Sequence, residues 1–318
     1  MTIDQPTALV TGSAGFVGRH LVDKLTAAGY RVLGLDLMPW PRLRLPAGYA
    51  HFRIDALDWL RTRFPADVDL VVHAAAVVGG RTMIDGAPAE LAAVDLELDA
   101  ALWRWTLRTR PRRVVYLSSS AAYPVSLQTG GRVVDLDEAD LDPMAPAMLA
   151  PDNTYGLVKL VGERMAAEVR ATGVDVTVVR PFSGYGTDQA ADYPFPAFIA
   201  RALAGHGTPG RRPFTVWGDG GQVRDFIHID DITAAIVRLA RLDVDGPVNL
   251  GTGRPTSLDE LAVAVCSQLG YRPQLEHDRD APVGVAYRVA RTETLERWYV
   301  PQVTLEDGIA RALAEAAR

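Results

Sequence analysis

Tyr155 and Lys159 are four residues apart, a spacing that stacks two side chains on one helix face. An ammonium beside a phenol favours the phenolate and draws its pKa, about 10 in a free side chain, toward the range of a general base. The same spacing also describes a half-buried aromatic beside a solvated lysine, so the pair decides nothing alone. Upstream, Ser118-Ser119-Ser120 closes the run Arg113-Val114-Val115-Tyr116-Leu117 and offers a hydroxyl, that of Ser120, to hold a substrate oxygen. Near the start stands Thr11-Gly12-Ser13-Ala14-Gly15-Phe16-Val17-Gly18, a G-x-x-G-x-x-G loop. Proton transfer next to a dinucleotide site describes redox chemistry on an alcohol or its ketone.

A glycine loop between a strand and a helix places a pyrophosphate on free backbone N–H groups. Gly12 permits the tight turn, Gly15 the approach of the phosphates and Gly18 the close packing of the helix on the sheet. A tight turn needs glycine for purely structural reasons as well. Asp36, ending the second expected strand, strengthens the cofactor reading, because a carboxylate there accepts hydrogen bonds from a ribose and repels a 2′-phosphate. NAD is therefore expected over NADP, although Arg42 and Arg44 follow shortly after.

The elements that must position these groups alternate. Strands are expected over Ala8–Thr11, Arg31–Asp36, His51–Ile54, Leu70–His73, Val114–Ser118 and Val174–Arg180, with helices over Phe16–Ala28, Ala89–Arg110 and Tyr155–Thr172. This is the pattern of an α/β protein with a doubly wound parallel sheet over residues 1–180. Beyond Arg180-Pro181, prolines and glycines break the chain into shorter elements, read as a smaller α/β cap over 181–318 with some segments returning to the sheet. With 318 residues, 48% of them hydrophobic, the chain can bury a large core. A net charge of −6 argues against nucleic acid as a partner, and Arg211-Arg212 reads as solvated surface. Cys266 is the single cysteine and reads as a small buried hydrophobe. No basic leader or membrane-length apolar run occurs, so a soluble, cytoplasmic protein is expected.

In order and content the chain resembles the extended short-chain dehydrogenases/reductases, the NAD-dependent nucleotide-sugar epimerase/dehydratase family. Within that family it resembles UDP-galactose 4-epimerase, with local similarity to GDP-mannose 3,5-epimerase. The resemblance rests on Thr11–Gly18, Asp36, Asp55-Ala56, His73–Ala76, Ser118–Tyr123, Tyr155–Lys159, Arg180–Phe182, Arg224–Asp231 and Asn249–Gly253. It implies a Rossmann-type fold and a nucleotide-diphosphate sugar as substrate. It further implies that Phe16-Val17 cover the pyrophosphate, Asp55-Ala56 meet the adenine, Ala74, Ala75 and Ala76 line the cofactor, and Phe182 packs near the nicotinamide. Arg224 would bind the diphosphate with Arg288 as a second clamp, and Thr215-Val216-Trp217 would lie along the base. A surface arginine or an ordinary core strand remains the alternative for each. His228 with Asp230 and Asp231 reads as structural, one of the aspartates capping a helix, so no metal is expected.

The departures select the reaction. Relatives that dehydrate carry an acidic pair after the hydroxyl residue, where this chain has Ala121-Ala122. Val77-Val78-Gly79-Gly80-Arg81 and Tyr123-Pro124 resemble GDP-mannose 3,5-epimerase and GDP-fucose synthase, but Ala121 matches their acid/base cysteine. C4 epimerisation through Ser120, Tyr155 and Lys159 is left as the expectation, with a 4-ketoreductase as the alternative. A cofactor-binding protein without turnover is a third reading, disfavoured by the intact triad. Asp95 and Ser183 replace frequent asparagines, and the resemblance implies a homodimer through Ala89–Arg110 and Tyr155–Thr172.

Overall fold

The computed structural model describes residues 5–65, 67–79, 86–131, 133–145, 150–207 and 213–317. Gly80, Arg81 and Arg211-Arg212, singled out above, lie outside the described residues. The first half supplies β1 (Thr7–Thr11), α1 (Phe16–Ala27), β2 (Arg31–Asp36), β3 (Tyr49–Arg53), α2 (Ala56–Thr62), β4 (Leu70–His73), α3 (Pro88–Thr109), β5 (Arg113–Leu117), α4 (Thr154–Ala171) and β6 (Asp175–Pro181). The second half supplies β7 (Ser183–Tyr185), α5 (Pro194–Gly205), β8 (Pro213–Trp217), β9 (Val223–His228), α6 (Ile229–Leu239), β10 (Pro247–Leu250), β11 (Pro255–Ser257), α7 (Leu258–Gln268), β12 (Gln274–Asp278), β13 (Tyr287–Arg288), α8 (Glu293–Glu296) and α9 (Leu305–Ala316).

The large sheet is parallel throughout, in the order β10-β6-β5-β4-β1-β2-β3. Every residue of β1 and β4 is buried, as expected of parallel strands covered on both faces. The two-residue period of the strands divides the core. Val10, Val72 and Val115 face Leu21, Val22 and Leu25 of α1 and Ile232, Ile236 and Leu239 of α6. Leu9, Val71 and Val114 face Leu102, Trp103 and Trp105 of α3 and Ala166 and Val169 of α4. The strand order reverses direction between β1 and β4, opening a crevice at the carboxyl ends of the strands where both the glycine loop and β5 deliver their residues.

Two details depart from the expected elements. The third strand begins at Tyr49 rather than His51, and α2 was not anticipated; Asp55 caps it through a 2.8 Å bond from the Leu57 N–H. In the second half, β11, β9 and β13 form a small sheet with β7 on β9, and β8 pairs with β12. Their core gathers Tyr185, Phe195, Phe198, Phe214, Leu261, Val265, Cys266 and Ile309. His228, not Asp230 or Asp231, is the cap of α6, its Nδ1 accepting the Asp230 N–H at 3.1 Å. Asp231 instead accepts the Tyr299 hydroxyl at 2.5 Å and the N–H groups of Gln302 and Val303, and so anchors the chain leading to α9.

Candidate active site

The glycine loop is shaped by contacts that exclude side chains. Gly12 has φ +68°, and a Cβ there would stand 2.7 Å from the Ala75 nitrogen. At Gly18 a Cβ would stand 1.9 Å from the Gly12 carbonyl oxygen, so α1 can start this close to the loop only with glycine. Gly15 is the cap of α1 and provides no side-chain bond, and no acidic residue occupies the first turn. The N–H groups opening the helix, beside Phe16 and Val17, are therefore oriented for an anion. Asp36 accepts the N–H of Ala14 on one oxygen and that of Met38 on the other, each at 2.8 Å, which fixes its carboxylate at the loop. Ala74 and Ala75 donate N–H bonds to the carbonyl and hydroxyl oxygens of Thr11, both at 3.2 Å, laying the Ala74–Ala76 backbone along the same crevice. These residues fit a dinucleotide.

Around the reacting end, the serines divide their tasks. β5 alternates, so successive serines after it cannot face one way. Ser118 donates to Glu163 within the core. Ser119 caps the short 3₁₀ turn 120–122, its hydroxyl accepting the Ala121 N–H at 3.1 Å, and is the serine that acts on Tyr155, pulling its pKa down. Ser120, expected at the substrate oxygen, is instead buried within that turn.

Tyr155 and Lys159 occupy one face of α4, with the Lys159 Nζ 5.6 Å from the Tyr155 ring centre. Burial pushes the phenol upward and Asp95 and Asp99 add to this; Lys159 and Ser119 pull the other way without cancelling it. Lys159 is 3% exposed. Burial alone would lower its pKa, but Tyr155, Asp99, Asp95 and Glu163 reverse the sign and keep it an ammonium. Beside this pair, Asp95 accepts the Val77 N–H at 2.7 Å, and Val77, Pro88, Leu91, Ala92 and Asp95 line a small cavity with Tyr155.

Several residues around this site had no individual role assigned from the sequence. Thr11 Oγ1 and His73 Nδ1 are 2.9 Å apart, His73 Nε2 is 3.2 Å from Asp99, and the Tyr116 hydroxyl donates to Asp99 at 2.5 Å. The chain links the glycine loop through β4, α3 and β5 to the Tyr116 ring, 5.2 Å from Lys159 Nζ. Deeper, Arg180 forks onto Glu163 at 2.9 and 2.7 Å and donates to the Tyr123 hydroxyl at 2.9 Å.

The expected substrate residues are placed as follows. Arg224 and Arg288 are register partners on β9 and β13, so their stems lie side by side. Arg288 reaches Gln128 at 2.5 Å and Asp152 at 3.1 Å. Ser183 is half-buried on β7. On β8, Thr215 and Trp217 point outward, whereas the Val216 side chain is in the core, leaving only its backbone to meet a base. Phe182 is buried with Tyr123, Leu136 and Leu160 at the end of β6, and Ala56 is likewise buried.

The model of the NAD-dependent epimerase/dehydratase family matches residues 8–251. The chain belongs to this family. NAD is accordingly its cofactor, and the loop, Asp36 and Ala74–Ala76 are the fitting residues. This family member is 30% identical over 298 residues to a dTDP-4-dehydro-6-deoxy-D-allose reductase of a Streptomyces species, covering 89% of this chain and 87% of that one. It is 27% identical to a putative UDP-glucose 4-epimerase of Methanocaldococcus jannaschii over 96% of each chain. Among solved structures, MoeE5 in complex with UDP-glucuronic acid and NAD superposes with a TM-score of 0.79 at 28% identity, over 98% of this chain and 99% of that one. Among the described residues no helix is long and apolar enough to cross a membrane.

Proposed function

We propose that this family member is a nucleotide-sugar C4 epimerase. The observation that carries the reading is the convergence of Ser119, Tyr155 and Lys159 at the end of β5, next to the dinucleotide loop, with no acidic side chain at Ser120, Ala121 or Ala122 to eliminate water. Ser119 would hold the 4-oxygen of the sugar, Tyr155 would take and return its proton, and Lys159 would steady the phenolate. NAD, which the glycine loop and Asp36 would hold, would supply the hydride acceptor for C4 and, once reduced, the donor for its return. Return to the opposite face requires the 4-keto sugar to turn over between the two hydride transfers. Arg224 and Arg288 would grip the diphosphate, since a planar guanidinium matches paired phosphate oxygens, and Trp217 and Thr215 would meet the base. We also propose a homodimer through α3 and α4.

The second reading is a 4-ketoreductase. It is favoured by the reductase relative at 30% identity and by the raised pKa of Tyr155, which suits a proton donor. The two differ in cofactor traffic: an epimerase regenerates its own cofactor, and a reductase must exchange it. Protein purified without nucleotide and then denatured should release near-stoichiometric NAD(H) and should interconvert nucleotide sugars with none added. An empty protein, or one needing added NADH, would decide for the reductase. In either case Tyr155→Phe should lose about 10²- to 10⁴-fold in turnover while still binding NAD.

A further inference from the structure

The chain carries a second four-residue spacing opposite the first. Asp95 and Asp99 lie one turn apart on α3, both buried, at 3% and 5% exposure, and α3 packs along α4, which carries Tyr155 and Lys159. An acid pair on one helix thus meets a phenol–ammonium pair on the next. The cavity between Asp95 and Tyr155 has about 10 Å³ of free volume, the lower limit for a single water, so the buried carboxylates face the half-buried Tyr155 across little solvent.

We propose that Asp95 and Asp99 are positioning residues for the proton-transfer step, confining the ammonium of Lys159 and the proton of Tyr155 to this pocket. The inference rests on reading Tyr155 as the proton-transfer group; it does not depend on the choice between epimerase and reductase. Asp99 is positioned for its part. Burial would raise its pKa, but the His73 hydrogen bond, the charge of Lys159 and the Tyr116 hydroxyl bring it below the ordinary value, so it stays a carboxylate. Burial raises Asp95 despite the Val77 N–H and Lys159. The remaining ionisable groups around the pair, among the described residues, are Glu163 on α4, His73 at the end of β4, Tyr116 on β5 and Tyr193 at the start of α5. Glu163 is neutralised by Arg180. The two α3 carboxylates oppose formation of the phenolate, and they also hold Lys159 charged.

The consequence is a site whose resting form is phenol plus ammonium, ready to give a proton to a carbonyl oxygen. A substrate entering as an alcohol would need the positive charge of the oxidised cofactor to help ionise Tyr155.

The test follows the tyrosine directly. Phenolate absorbance is titrated in the NAD-loaded protein and in Asp95→Asn, each measured against the same protein carrying Tyr155→Phe, so that the difference isolates Tyr155. Asparagine keeps the acceptor for Val77 and removes the charge. Tyr155 should ionise about one pH unit lower in Asp95→Asn, and the acid limb of the pH–rate profile should move with it. Asp99→Asn should shift both in the same direction; if the loss of its His73 and Tyr116 bonds prevents folding, Asp95→Asn alone decides. An unchanged Tyr155 titration in Asp95→Asn overturns the proposal. The titration needs no substrate, so absence of C4 chemistry in the parent protein would count against the proposed function and leave this inference standing.

Discussion

Glu163 shows what a single buried residue carries here. It faces the core from the catalytic helix, 2% exposed, neutralises Arg180, which is fully buried, and accepts from Ser118. Arg180 in turn reaches Tyr123 and the carbonyls of Glu138 and Leu141, so the pair fastens α4 to β6 and to the segment before it. Glu163→Gln would strand the guanidinium in the core, at a cost of about 3–5 kcal/mol. Denaturant unfolding should show this as a lower midpoint, and a mild loss under 1 kcal/mol would mean that the ion pair is not the fastening. Nothing in the sequence marked Glu163, because a glutamate in a helix is ordinarily solvated. Only its packing against Arg180 gives it a role.

At the scale of elements, α3 and α4 have two opposed duties. Leu98, Leu102 and Trp105 on α3 are buried within the chain. Val94, Leu96 and Leu107 on α3 and Leu157 and Met165 on α4 remain exposed, and they are the large apolar side chains left for the proposed dimer. Met165→Glu should convert a dimer into a monomer in sedimentation at micromolar concentration; a parent already monomeric there would refute that contact. The first half was legible because short β-rich apolar runs such as β1 alternate with longer helical segments such as α1. α2 was not, since its seven residues are too short to display a period. Ser120 was preferred over Ser119 because composition does not reveal where an extended chain becomes a turn.

Across the whole molecule, the first turn of α1 is tied to the second half by Asp188. Its carboxylate accepts from Arg19 Nε at 2.6 Å and lies 3.0 Å from His20 Nε2, while a Cβ at neighbouring Gly186 would stand 3.1 Å from the Phe16 ring. The clasp thus closes over the start of the pyrophosphate helix. Burial would raise the Asp188 pKa, but the His20 and Arg19 hydrogen bonds bring it well below the carboxylate range. Because the folded value is depressed, the clasp contributes fully above the unfolded value of about 3.9 and is lost as pH falls below it. Asp188→Asn should therefore speed release of NAD at neutral pH, by about two- to fivefold for a partly exposed pair, and should match the parent once the pH is low enough to protonate Asp188. Equal release rates at neutral pH would remove the clasp from the account of cofactor retention.

By itself the sequence determined the parallel sheet, the glycine loop, Asp36 and the Tyr155–Lys159 pair, because each depends on spacings within one element or across one turn. Tertiary structure alone decided which serine acts on Tyr155, that the Val216 side chain turns into the core, that His228 caps α6, and that Asp95 and Asp99 face the catalytic pair. Those outcomes depend on contacts between residues tens of positions apart, and local propensity carries no information about which distant side chain will be the neighbour in a buried, weakly screened site.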